Sequence, residues 1–146
     1  MRITDIRERP VSLAAPMSNA AISFLQMTAS AVAIEVDAGE KGTIIGYGFS
    51  SVGRYAQSGL IAERFAPRLM AAPDMTGADG GLDPVRGWAA MMANEKPGGD
   101  GDRAGAVGVL DMALWDAAAK IEGVPLWRLL SKRYNDEKAH DRVPVY

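Results

Sequence analysis

The chain has 146 residues, 48% of them hydrophobic, which suits one domain with a real core and excludes a disordered tail. Sixteen Lys and Arg stand against 18 Asp and Glu without a basic run, so a nucleic-acid partner is not expected. Cysteine is absent, which excludes disulfides, thiolate metal sites and cysteine nucleophiles together. With no signal-peptide-like start and no apolar run of membrane-spanning length, a soluble cytoplasmic protein without a membrane partner is expected.

The first third reads as strands. Ile3–Val11, Thr28–Asp37 and Thr43–Phe49 carry alternating patterns, with Val32, Ile34 and Val36 sharing a face. Between the last two, 37–42 has the glycine and charge content of a hairpin turn, so an antiparallel meander is predicted. The pattern then turns helical. Leu60, Ile61, Phe65 and Leu69 recur at three- and four-residue intervals over 59–70, and Pro67 predicts a kink or break inside that run. Residues 72–82, rich in Gly, Asp and Pro, read as a loop. Asp83-Pro84 supplies an N-cap and a first-turn proline for a helix carrying Trp88, Met91 and Met92, ending before Lys96-Pro97-Gly98-Gly99.

A third helix is predicted over 102–120, roughly 27 Å long at 1.5 Å per residue, and so short of polar positions that nearly all its sides should be buried. Gly123 ends it, 125–130 adds one apolar turn, and 131–142 reads as a charged linker. Val143-Pro144-Val145-Tyr146 has the pattern of a strand, with nothing after it to pair with. Trp88, Trp115 and Trp127 are expected in the core, Tyr47 and Phe49 in strand packing, and His140 in solvent.

Ala106-Val107-Gly108-Val109-Leu110-Asp111-Met112-Ala113-Leu114-Trp115-Asp116-Ala117-Ala118-Ala119-Lys120, then Gly123-Val124-Pro125-Leu126 and Leu129-Leu130, resembles the N-terminal signature of the mandelate racemase and muconate-lactonising group of the enolase superfamily. Val109 and Ser131 depart from it, standing where small residues and glycine are usual. The resemblance implies an α+β fold: a three-stranded antiparallel meander followed by a helical bundle forms a capping domain over 1–131. Residues 132–146 are then a linker and the first strand of a TIM barrel that the chain does not contain. Gly46-Tyr47-Gly48-Phe49, Gly53-Arg54-Tyr55 and Trp88 to Gly99 are similar to tartrate dehydratases of that group.

By that resemblance the full-length protein is a hydro-lyase acting on tartrate or another sugar diacid. A racemase, epimerase or cycloisomerase of the same superfamily, or a non-catalytic carboxylate-binding or interaction module, are the alternatives. The catalytic base and the Mg²⁺ ligands of such enzymes stand at the ends of later barrel strands, and a barrel needs about 250 residues. No catalytic residue and no metal ligand is therefore assigned to this chain, which by itself is expected to be inactive, and Asp111, Asp116 and Glu122 are read as groups for capping, pairing or contact with the missing barrel. Two loops, 16–24 and 49–59, are expected to close over a small hydroxy acid or sugar diacid. Asn19 offers both amide functions, Arg54 a bidentate carboxylate contact, Tyr55 a hydroxyl, and Lys96 an ammonium on a glycine-rich loop. Residue type alone leaves Asn19 as a turn former and Arg54 and Lys96 as solvated charges. In full length, a homo-oligomer is expected.

Overall fold

A computed structural model describes residues 1–50, 55–96, 98, 101–140, 142–143 and 145. Three strands, β1 (Arg2–Ser12), β2 (Thr28–Asp37) and β3 (Thr43–Phe49), form one antiparallel sheet in the order β1-β2-β3. Ile6 lies opposite Ile34 and Ala33 opposite Tyr47. A register shift between Ile3 and Asp5 inserts one extra residue into β1, so that Ile3 and Ile6, three apart, both turn toward the core. The β2–β3 connection is a 3₁₀ turn, Gly39–Lys41, with Gly39 at φ 64° and Gly42 at φ 74°. Its Lys41 ammonium donates to the Ile121 carbonyl at 2.6 Å, placing a cation at the C-terminal end of the longest helix, where the helix dipole favours it.

The helices follow in chain order. A continuous helical segment begins as α1 (Ser58–Leu60), widens into a π-helical stretch over Ile61–Phe65 and continues as α2 (Ala66–Ala71). Pro67 has no amide to offer the turn before it, and the wider stretch just upstream takes up the mismatch, so the expected interruption is a π bulge within a continuous run. In α3 (Pro84–Met92), Asp83 accepts from the Val85 amide at 3.0 Å, as an N-cap should. The long helix α4 (Asp102–Glu122) ends at Gly123, whose φ of 70° is the left-handed cap a glycine allows. Beyond it, α5 (Leu126–Tyr134) runs further than the single apolar turn predicted. Ser131, buried within it, accepts the Ala139 amide on its Oγ at 2.9 Å and ties the following segment back to the helix. Val143 and Val145 are exposed and lie in no strand; Pro144 and Tyr146, the rest of the expected strand, lie outside the described residues.

Helix α4 lies directly on the sheet. A Cβ on Gly46 would stand 2.0 Å from the Ala113 carbonyl oxygen, and one on Gly48 would stand 2.2 Å from that of Val109, so these two strand positions admit only hydrogen. Facing them, Ala113 and Ala117 are fully buried. Small residues on both sides bring helix backbone against strand backbone, and larger side chains fill the flanks: Ile34 and Val36 from β2, Phe65 and Leu69 from the first helical run, Met91 from α3, Leu110 and Leu114 from α4, and Leu129 from α5. Burying side chains of this size contributes about 1.5–3 kcal/mol each.

The same closeness protects the free edge of β3. Asp116 accepts the outward Tyr47 amide at 2.8 Å, Lys120 donates to the outward Ile45 carbonyl at 2.9 Å, and the two side chains pair at 2.6 Å. These charges occupy the groups that another strand would otherwise seek.

Four aromatic expectations need correction. Trp88 is 49% exposed, because α3 buries only the stripe through Pro84, Gly87 and Met91. Trp127 is 41% exposed on α5, where Leu129 takes the inward position. Tyr47 and Phe49 stand on the sheet face opposite α4 and are largely exposed, since the inward positions of β3 belong to Gly46 and Gly48. Lys120 covers the Tyr47 ring at 4.6 Å from its centre.

Candidate functional site

An antiparallel meander sends every second connection to the same end. The end of β1, the start of β2 and the end of β3 are therefore adjacent: Ser12 pairs with Thr28, and Ala31 with Phe49. The 13–27 loop and the segment after Phe49 both leave from that end. Because Val109 lies over Gly48 and Ala113 over Gly46, α4 runs antiparallel to β3 and its N-terminus points the same way. The α3–α4 connection, which carries Lys96, arrives there too. Three loops and one helix N-terminus thus meet at one end of the domain.

Hydrogen bonds weld these parts. Ser30, fully buried near the start of β2, accepts the Gln57 amide on its Oγ at 3.0 Å; its own amide donates to Ser50 Oγ at 2.8 Å. The Ala56 amide donates to Thr28 Oγ1 at 3.1 Å. Gln57, also buried, donates through Nε2 to the Tyr55 carbonyl, and its Oε1 has no partner among the described residues and rests beside Gly105 of α4. Around this strap lies an open recess of about 430 Å³, bordered by Tyr55, Gln57, Ser58, Leu60 and Asp102. Helix α4 begins at Gly101, which has no side chain to cap the first amides, and Asp102 sets a carboxylate in the first turn beside their partial positive charge.

The sequence-predicted residues fare differently. Asn19 uses its Oδ1 to accept the amides of Ala21 at 2.9 Å and Ile22 at 2.8 Å, closing the tip of a small Ser18–Ser23 hairpin. That is the turn-forming role its residue type suggests, at an exposed position. Tyr55 borders the recess and is exposed. Lys96 is exposed on the α3–α4 connection, and its carbonyl accepts from Arg103 in the first turn of α4 at 3.1 Å. Arg54 lies outside the described residues. Tyr55 and Lys96 thus flank the start of α4 from two sides, and the Asn19 loop rejoins the sheet at Thr28, which holds the Tyr55 segment.

Beside Lys96 lies a cluster that sequence reasoning did not assign a role. The side chain of Glu95 is 1% exposed and meets Arg64 at 2.7 Å, Arg68 at 2.8 Å and Arg103 at 3.3 Å. Burial alone would push this carboxyl upward; the hydrogen bonds and positive charges of Arg68 and Arg64 outweigh it and hold the carboxyl below the ordinary glutamate range. Arg64 and Arg68 stand one helical turn apart, but nothing local signals that they meet Arg103 on Glu95, and nothing local marks Gln57.

The remaining acidic groups are engaged elsewhere. Asp116 caps the sheet edge, and Glu122 pairs with Arg133 at 2.8 Å. Asp111 is partly enclosed between α3 and α4; burial raises its carboxyl above the usual aspartate range, with a hydrogen bond from Trp115 opposing the rise. Among the described residues no group of three His, Asp or Glu could hold a metal ion. The most enclosed carboxylate, Glu95, is already occupied by guanidinium groups. The chemistry this end can perform is recognition of a polar or anionic ligand.

A larger recess, about 580 Å³, lies beside α5 and is bordered by Trp127, Arg128, Lys132 and His140, with none of the predicted site residues among its walls. No helix among the described residues is long and apolar enough to cross a membrane.

Comparison with known proteins agrees with this architecture. A stretch of 41 residues, 28% of this chain, is 49% identical to a Halomonas elongata protein named as D-galactonate dehydratase family member RspA, of whose length the matched stretch is 9%. The family model described as the mandelate racemase / muconate lactonizing enzyme N-terminal domain matches residues 1–131. With its three-stranded meander, helical bundle and close-packed α4, the chain belongs to that family of N-terminal domains.

Proposed function

We propose that this domain is the capping part of a Mg²⁺-dependent acid-sugar dehydratase, with tartrate or a related sugar diacid as substrate. In this reading, residues 1–131 close over the substrate, and 132–146 lead into a barrel that holds the metal and the base. The observation that carries it is the meeting of the Asn19, Tyr55 and Lys96 loops with the N-terminus of α4 at one end of the domain. A second carboxylate on a diacid lies out of the metal's reach, and enclosing it in a dry site without donors would be costly. Lys96, Arg54, the Asn19 amide and the Tyr55 hydroxyl are donors of the right kind. Likeness to a protein named for a galactonate dehydratase family supports the reaction class.

The barrel of this reading would remove the proton beside one substrate carboxylate and release the neighbouring hydroxyl as water, and Mg²⁺ bound there would supply stabilising positive charge. The capping residues bind and orient the far end and keep bulk water out.

The test is turnover. The full-length protein, supplied with Mg²⁺ and a panel of sugar monoacids and diacids, should convert at least one diacid to a keto acid, detectable with a carbonyl reagent. A change of optical rotation without any keto acid would overturn the dehydratase reading in favour of racemisation or epimerisation. Binding without turnover would favour a carboxylate-binding module.

A further inference from the structure

Lys96 is a single exposed cation on a short connection, and an ammonium on a flexible arm positions a carboxylate only if its backbone is held. The residue before it provides the hold. Glu95 points into the domain, where its carboxylate is bracketed by Arg64 of the π stretch, Arg68 of α2 and Arg103 of α4. Two of these arginines also bind backbone nearby: Arg68 donates to the carbonyl of Met91 in the last turn of α3 at 2.6 Å, and Arg103 to the Lys96 carbonyl on the connection at 3.1 Å. The Glu95 amide turns back to the Met92 carbonyl at 3.1 Å, and Asn94 takes a φ of 61° to make that turn. A carboxylate this enclosed cannot leave its partners without stranding a charge, so the backbone at 95–96 is fixed from two helices at once, the 58–71 run and α4.

We infer that Glu95 is a positioning residue: by locking its carboxylate among Arg64, Arg68 and Arg103 it sets where the neighbouring Lys96 ammonium stands over the substrate's far carboxylate. This rests on the proposed role of Lys96 as a diacid contact. Glu95 touches no substrate, and its effect reaches the substrate through one peptide unit.

The experiment compares sugar diacids with monoacids of equal length in the full-length enzyme, because a monoacid lacks the group Lys96 would hold. Lys96→Met should lower kcat/KM for the diacid by about tenfold to hundredfold and leave the monoacid nearly unchanged. Glu95→Gln, with the wild-type fold by circular dichroism, should reproduce that selective loss, as expected when a misplacement of about an ångström costs about a hundredfold. Arg103→Lys, which keeps the charge beside Glu95 and gives up the planar guanidinium, should give a smaller loss of the same selectivity and serves if Glu95→Gln does not fold. If Lys96→Met leaves the diacid preference intact, the role of Lys96 is overturned and the inference falls with it. If Lys96→Met removes the preference while Glu95→Gln and Arg103→Lys keep it, or lower both substrates equally, the role of Lys96 stands and positioning by Glu95 is overturned.

Discussion

The seam between β3 and α4 and the loop-bearing end of the domain are joined by the same helix and built on opposite principles. At the seam, contact is made by what is missing: Gly46 and Gly48 have no side chains, alanines face them, and carbonyl oxygens of α4 sit where a Cβ would be. At the other end, long polar side chains span the gaps between segments, with Glu95 drawing three arginines together. A seam of this kind resists any added atom, because the opposing atoms are backbone and cannot swing away. An end held by long side chains is instead fixed at a few anchors, such as Glu95, and each loop depends on the pairs that hold it.

The strongest way to break the seam is to add one methyl group. Gly46→Ala should destabilise the domain by about 3 kcal/mol, the upper part of the usual overpacking range, and lower Tm by about 6–12 °C at roughly 2–4 °C per kcal/mol. Thermal unfolding followed by circular dichroism checks this; an unchanged Tm would mean that α4 does not lie on β3 as described. The same substitution at Gly59, where a Cβ would meet nothing, is the control and should be nearly neutral.

The loop end should respond to pH more than to volume. Glu95 is held below its ordinary range, so its folded pKa is lower than its unfolded one. Its stabilising contribution is then full above the unfolded value, about 4.3, and is lost as pH falls through the folded value. Glu95→Gln should accordingly flatten the decline in the urea midpoint between neutral and acid pH; an acid limb identical to wild type would show that other carboxylates carry it.

Beside the seam stands the Asp116–Lys120 pair, which guards the edge of β3. Asp116→Ala should cost only about 1 kcal/mol, since water can replace it at the exposed Tyr47 amide. Its larger consequence should be concentration-dependent association through the freed edge of β3, measurable by sedimentation, while a strictly monodisperse variant would show the edge needs no guard. The smallest expected effect is at Asp111. Burial raises its folded pKa above the unfolded one, so stability rises as pH falls through the raised value. Asp111→Asn, which can still accept from Trp115, should therefore raise Tm slightly at neutral pH, an advantage that fades in acid. No gain at neutral pH would show that the site is better hydrated than its enclosure implies.

Much of the fold was legible along the chain because it follows from short-range periodicity. Val32, Ile34 and Val36 alternate as a half-buried strand must, Asp83-Pro84 opens a helix, and Gly123 closes one, each for reasons complete within a few residues. The aromatic positions were less legible. Composition marks Trp88, Trp127, Tyr47 and Phe49 as core, but helix phase and the side of the sheet that α4 occupies place them outward. Among the site residues, Asn19 could be read as a turn former by type, and it forms that turn. Gln57 and the Glu95 cluster carried no local signal, because their meaning lies in partners thirty residues away or, for Gln57, in a neighbour on α4.

By itself, then, the sequence determined the meander, the succession of helices and the family to which residues 1–131 belong, since these rest on local propensity and on a helix signature contained in one segment. Only the tertiary structure decided which groups meet: that Gly46 and Gly48 are spaces for the α4 backbone, that Asp116 and Lys120 close the edge of β3, and that Arg64, Arg68 and Arg103 converge on Glu95 beside Lys96. The physical reason is range. Propensity acts over a turn or two of chain, whereas close packing and charge pairing act through space between residues whose separation in sequence carries no trace of their contact.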